Sequence, residues 1–184
     1  IKPIWLVNHE GTQFAFYLSE IGSAMASTDI IEINWLSGAV KFILFGSAGA
    51  LDRGKAKIRY VIPTEAYRDE GMSYHYAPPA DYIDVPGAKT VARTFEELGV
   101  PYVLGRVWTT DAFYRETKNN FERRKRAGCV SVEMECAALQ AMCDFRGLEL
   151  YMFFTSGDLL DAPKWDERRT EGSLKGTQHD AGHF

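Results

Sequence analysis

In the stretch Val130-Ser131-Val132-Glu133-Met134-Glu135-Cys136-Ala137-Ala138-Leu139-Gln140, two carboxylates flank a methionine inside a run that is otherwise apolar or small. An unpaired carboxylate is costly to bury, so it shifts its pKa, finds a partner or stays in water. Glu133 and Glu135 therefore either face solvent or serve something polar that enters the protein. Residues two apart share a face in an extended segment and do not on a helix. The β-branched run from Val130 reads as strand, and Glu135 to Met142 reads as helix. The pair is thus expected where a strand hands over to a helix, the usual place for a ligand in α/β folds.

A second candidate is Gly46-Ser47-Ala48-Gly49, which follows the apolar run Val40 to Phe45. It reads as a glycine-rich turn whose backbone N–H groups, with the Ser47 hydroxyl, either cradle an anion or simply turn the chain. Cys129, Cys136 and Cys143 recur every seven residues without a metal-ligand spacing and read as small buried thiols. His179 and His183 are four apart, but Gly182 lies between them and no third ligand stands at a suitable spacing. No metal site is expected.

The elements that must position these residues follow from periodicity and punctuation. Strands are predicted at 4–8, 13–18, 40–46, 57–63, 102–107, 129–133 and 149–155, and helices at 22–36, 87–98, 116–127 and 135–146. Strands alternating with helices favour an α/β domain on a parallel or mixed sheet. The 184 residues suffice for one domain with a sizeable core, with 46% hydrophobic and 25% charged residues. A net charge of −4 gives no general attraction for nucleic acid or anionic membrane, so an anionic ligand must be held locally. No apolar run approaches the roughly 20 residues that span a bilayer, and nothing at the start reads as a signal peptide, so a cytoplasmic protein is expected. The chain opens at Ile1 in a strand-like run and ends at Phe184 after a polar stretch read as a loop or lid, so natural sequence is expected beyond both ends.

Five stretches, FGSAGALD (45–52), YRDEGMSYHYAPP (67–79), WTTDAFYRET (108–117), VEMECAAL (132–139) and TSGDLLD (155–161), resemble in order and spacing the nucleoside phosphorylase family. That family includes uridine phosphorylase, hexameric purine nucleoside phosphorylase and methylthioadenosine nucleosidase. The resemblance implies a single three-layer α/β domain over residues 1–184, with a central mixed sheet flanked by helices. It implies that Glu135 accepts hydrogen bonds from ribose hydroxyls, as an acceptor-only carboxylate can. Met134 would pack under the sugar and Glu133 would contact sugar or base. Phe113 aligns with the aromatic that stacks on the base, Ser156 would also contact the base, and Asp158 matches the acid that protonates the departing base. Phosphate would fall to Gly46, Ser47 and Gly22. Arg168 or Arg169 stands where some members carry a cationic partner.

Several features depart from the family pattern. Gly157 separates Ser156 from Asp158 where members usually show Ser-Asp, leaving Ser156, Asp158 and Asp161 as rivals for one role. Leu44 occupies the position at which phosphorolytic members commonly carry an arginine, a substitution shared with the nucleosidases. The tract from Tyr67 to Pro79 is closer to the phosphorylases. In it Arg68 either lines the site or pairs with Asp69 and Glu70, and His75 either touches sugar or a subunit contact, or packs between Tyr74 and Tyr76. The resemblance thus implies phosphate-dependent cleavage of a nucleoside to free base and ribose 1-phosphate, with water-driven hydrolysis the alternative. Pyrimidine-specific members carry Gln and Arg after the stacking aromatic; Tyr114-Arg115-Glu116-Thr117 has no Gln, which favours purine, while Arg115 keeps uridine open. A non-catalytic nucleoside-binding module on the same fold is the rival of a different class. The implied partners are the nucleoside, inorganic phosphate as co-substrate without a further cofactor, and other copies of the chain in a dimer or hexamer.

Overall fold

Along the last strand, Leu150, Met152 and Phe154 belong to one apolar cluster while Tyr151 and Phe153 belong to another. A strand that is apolar on both sides must be covered on both sides, which places it between layers of helices. The computed structural model describes residues 3–52, 54–55 and 60–160. Asp161, Arg168, Arg169, His179 and His183 lie outside the described residues.

The elements in chain order are β1 (Trp5–His9), β2 (Thr12–Phe16), α1 (Ser23–Ser37), β3 (Lys41–Ala50), β4 (Tyr60–Asp69), β5 (Tyr82–Asp84), α2 (Ala88–Glu97), β6 (Tyr102–Thr110), α3 (Lys118–Arg126), β7 (Cys129–Glu133), α4 (Cys136–Arg146) and β8 (Glu149–Leu159). Single 3-10 turns cover Met72–His75 and Phe113–Arg115. β1 and β2 form a separate hairpin, and the other six strands form a mixed sheet in the order β5-β4-β6-β7-β3-β8. The α/β class and the mixed sheet flanked by helices are as expected. A feature not foreseen is that β8 also pairs with β4, through Tyr60 opposite Thr155 and Val61 opposite Phe154. The pairing therefore closes a ring of β4, β6, β7, β3 and β8.

α4 is the central helix: every residue from Cys136 to Cys143 is buried. Its Leu139 and Met142 join Ala26 and Ile30 of α1 against Phe42, Val61, Val107, Val130, Met152 and Phe154 of the sheet. α2 covers Ile62, Tyr151 and Phe153 with Val91 and Ala92. α3 brings Phe121 to Trp108 and Val132 and lays the Arg124 guanidinium 3.1 Å from the centre of the Tyr67 ring, a cation–π contact. All three cysteines are free and buried, and burial pushes the Cys129 thiol up to about 11. Among the described residues no helix is long and apolar enough to cross a membrane.

The clearest correction concerns Gly46-Ser47-Ala48-Gly49. These residues are not a turn but the last part of β3, and Gly46, Ser47 and Ala48 lie opposite Phe154, Thr155 and Ser156 of the parallel β8. A long parallel partner takes up the backbone groups and keeps the chain extended, and glycine permits a turn without requiring one. Gly49 answers a different need, close approach: a Cβ there would lie 2.7 Å from Leu160 Cδ1, 3.1 Å from Val132 Cγ1 and 3.2 Å from Asp158 Oδ1. β4, β6 and β8 also run past their predicted ends, and β5 had no separate signal.

Because α4 is the hub of the core, truncating it should be felt throughout. Leu139→Ala, at a position 1% exposed, is expected to cost about 2–5 kcal/mol in urea unfolding. Leu98→Ala, at a position 71% exposed, should stay within about 0.5 kcal/mol of the parent. Equal losses would mean that α4 is not the centre of the core.

Candidate functional site

β7 ends at Glu133, the chain bends at Met134 and Glu135, and α4 begins at Cys136. The predicted handover from strand to helix is therefore where the two carboxylates stand. They do not share a face, because the bend separates them, and each serves the start of a different helix. Glu133 is 4% exposed. Its Oε2 accepts from the backbone N–H groups of Glu135 (2.7 Å) and Cys136 (2.6 Å), and its Oε1 accepts from the Thr109 hydroxyl. Thr109 in turn accepts from the N–H of Ala137 at 3.0 Å. The amides at the opening of α4, which have no partner within the helix, are thus satisfied by a strand carboxylate and a threonine relay. Thr109 lies opposite Glu133 across the β6–β7 pair. Both oxygens of Glu133 thus accept from donors of its own fold.

Glu135 behaves differently. It is half-buried, and its Oε1 accepts from the N–H of Gly22 at 2.6 Å. Gly22 precedes the first turn of α1 with φ 99° and ψ 150°, a backbone that a residue with a Cβ rarely adopts. One residue on, the Ser23 hydroxyl donates to the Met134 carbonyl at 2.7 Å. Gly22 was expected at phosphate; its amide instead holds Glu135. Burial raises the pKa of Glu135, and the Gly22 and Met134 amides oppose that rise. Burial also pushes Glu133 up to about 7 against the pull of Thr109, Cys136 and Glu135.

Asp158 stands on β8, partly buried, with Oδ1 over the Gly49 backbone and beside the Gly49–Val132 strand pairing. Ser156 is on the same strand opposite Ala48. Glu116, just beyond the Phe113–Arg115 turn, is pushed up to about 7, first by burial and then by the charge of Asp158. Phe113 is 47% exposed, its ring centred 4.0 Å from that of Tyr114. Gly46 and Ser47 are exposed on β3.

The Tyr67 to Pro79 tract is held by its own contacts. Arg68 is buried and donates to Ser73 Oγ (2.8 Å) and to the carbonyls of Pro78 (2.7 Å) and Ala77 (3.4 Å). The ion-pair reading of Arg68 does not hold: its guanidinium ties down the loop after β4, while Asp69 accepts from Trp108 Nε1 and Glu70 from the Ser73 amide. His75 is exposed at the end of a 3-10 turn. Asp111 accepts from the Gly71 amide at 3.0 Å.

Three residues at this end of the sheet escaped the sequence reading. Ser23 had a signal, since a small polar residue before an apolar run marks a helix start. Thr109 had none, because its role depends on strand register. Glu116 stood in a stretch already singled out, but only folding brings it within reach of the Asp158 charge.

A closed mixed sheet with donor-held carboxylates at the carboxyl ends of β6 and β7 defines an α/β protein with its candidate site at the strand-to-helix junction. The chain belongs to the phosphorylase superfamily, whose family model matches residues 2–178. It is similar to a purine nucleoside phosphorylase of the DeoD type from Colwellia psychrerythraea, 30% identical over 161 residues that cover 83% of this chain and 68% of the relative. It is also similar to one from an Exiguobacterium species, 23% identical over 83% of this chain and 65% of the relative. A guanosine phosphorylase from Halorubrum lacusprofundi is 26% identical over 77% of this chain and 59% of the relative. The chain thus spans between 59% and 68% of the length of these three relatives.

Glu133→Gln tests the capping role. The amide NH2 can only donate, where either oxygen of the neutral acid can still accept, so at acid pH the variant should lose about 1–3 kcal/mol of stability. The folded pKa of Glu133 lies above its ordinary 4.5, so its contribution is full below 4.5 and is lost as pH rises through about 7. Urea unfolding across that window should show the gap between parent and variant narrowing as pH rises. A gap independent of pH would mean that Glu133 is not the titrating group.

Proposed function

We propose that the protein cleaves the N-glycosidic bond of a nucleoside, preferably a purine nucleoside, with inorganic phosphate as co-substrate. The products are the free base and ribose 1-phosphate, and the enzyme class is a pentosyltransferase. The observation that carries the reading is Glu135, a half-buried carboxylate held by the Gly22 amide in the VEME corner that resembles the family's ribose pocket. The names of the relatives, purine nucleoside phosphorylase and guanosine phosphorylase, support the base.

In this reading Glu135 accepts from the ribose hydroxyls, Met134 packs under the sugar and Phe113 stacks on the base, a contact that suits any base. A phosphate oxygen attacks the anomeric carbon as the bond to the base nitrogen breaks and its electron pair leaves with the base. Asp158 delivers a proton to a ring nitrogen of that base. The oxocarbenium-like character of the sugar is met by positioning and by fixed charge. Glu116 adds a second carboxyl on the Asp158 side, held near neutrality by burial and by Asp158 itself. The same likeness implies a homo-oligomer, and the exposed Trp5, Leu6, Phe14 and Phe16 of the β1–β2 hairpin favour a surface that is covered in the assembly.

The deciding measurement is base release by the full-length protein from inosine, adenosine, guanosine, uridine and methylthioadenosine, with and without phosphate. Release from the purine nucleosides only when phosphate is present is expected. Release without phosphate would make the protein a nucleosidase, and no release from any of them would leave a binding module. Asp158→Asn should slow purine nucleosides by about a hundred- to ten-thousandfold and spare a nucleoside whose base is already cationic. Equal losses on both substrates would remove Asp158 from the acid role.

A further inference from the structure

The start of α1 and the start of α4 meet at one residue. The backbone of Glu135 belongs to α4, since its carbonyl accepts from the Leu139 N–H at 3.0 Å. Its side chain belongs to α1 through the Gly22 amide, and the peptide before it is held by the Ser23 hydroxyl on the Met134 carbonyl. Ser23 is itself fixed. It is 1% exposed, and its carbonyl accepts from the Ser27 hydroxyl at 2.7 Å, with Ser27 fully buried. A buried hydroxyl that bonds a carbonyl across the helix junction locks the two helices in one relative setting. The Gly22 N–H can point at Glu135 only because φ of 99° is open to glycine. The positive end of the α1 dipole adds to the hold on a carboxylate.

We infer that Gly22 and Ser23 are positioning residues for Glu135, and that the N-terminus of α1 sets where this carboxylate meets the sugar hydroxyl and so sets the preference for ribose over deoxyribose. The inference rests on the reading of Glu135 as the ribose acceptor. Ser23 and Gly22 touch no reacting atom in it; they act through Glu135 alone. Losing the Ser23 bond frees the Met134–Glu135 corner to move away from Gly22, and Glu135 then keeps its burial but loses a donor that opposed the rise in its pKa.

The test compares kcat/KM for inosine and 2′-deoxyinosine in the full-length protein carrying Ser23→Ala, Gly22→Ala or Glu135→Gln, across the acid limb of the pH profile. For Ser23→Ala the ratio of ribonucleoside to deoxynucleoside should fall about five- to tenfold, the size of one lost hydrogen bond. Its acid limb should move to higher pH, and the deoxynucleoside should be turned over nearly as before. Gly22→Ala retains the N–H but strains its direction, so the ratio should fall in the same sense. It carries the test by itself if circular dichroism shows that Ser23→Ala does not fold. A general structural defect would lower both substrates alike. If Glu135→Gln abolishes the ratio while both α1 variants leave ratio and acid limb unchanged, the positioning role is overturned and the reading of Glu135 stands. If Glu135→Gln leaves kcat/KM unchanged for both substrates, both are overturned.

Discussion

The Glu133 carboxylate at the opening of α4 is the contact on which the remaining geometry depends. Three consecutive amides, those of Glu135, Cys136 and Ala137, reach it directly or through the Thr109 hydroxyl. Orphan amides at a buried helix start are a large cost if left unmet, and no water is needed to meet them here. The donor set explains why a strand in the middle of the sheet ends on an acid. β6 and β7 must be in register for Thr109 to face Glu133, so the same contact ties sheet pairing to helix entry.

From that point the order of dependence runs outward. A fixed first turn of α4 fixes the Met134–Glu135 bend, and the bend presents one carbonyl and one carboxylate to α1. α1 then lies along α4, with Ala26 and Ile30 in the shared core. Two glutamates two residues apart therefore do unlike work. Glu133 is surrounded by donors from its own fold, whereas Glu135 is gripped on one oxygen by Gly22 and remains half-buried. Distinct environments for neighbouring carboxyls are how one fold assigns them distinct roles.

What was legible in the sequence was periodic, and what was not depended on partners. The β7 boundary falls on Cys129–Glu133 because a β-branched run gives way to small helix formers, a purely local signal. The 46–49 segment misled because its glycines look local, while its conformation is dictated by β8, about a hundred residues away in the chain. Arg68 misled in the same way. A guanidinium among acids suggests an ion pair, yet backbone carbonyls of a folded loop supply better-placed acceptors. The strand-to-helix handover at Glu133–Glu135 was legible, and the different partners of the two carboxylates were not, since those partners are three-dimensional donors such as Thr109 and Gly22.

The charge at this end of the sheet bears on the co-substrate proposed above. Glu116, Glu133, Glu135 and Asp158 are all acidic, and Arg68 is tied to Ser73, Ala77 and Pro78. A nucleoside is uncharged and is met by hydroxyl acceptors and a proton donor, so acidity suits it. Burial, aided at Glu116 by the Asp158 charge, pushes the carboxyls Glu116 and Glu133 up to about 7, which reduces the negative charge they present near neutrality. Phosphate is another matter, because an anion beside carboxylates needs compensating positive charge within a few ångströms. Neither the Gly22 amide, which holds Glu135, nor Arg68 provides it. Phosphorolysis therefore asks for a cation other than Arg68 beside these carboxylates, while hydrolysis asks for none, and that electrostatic difference separates the two chemistries more sharply than any glycine in β3.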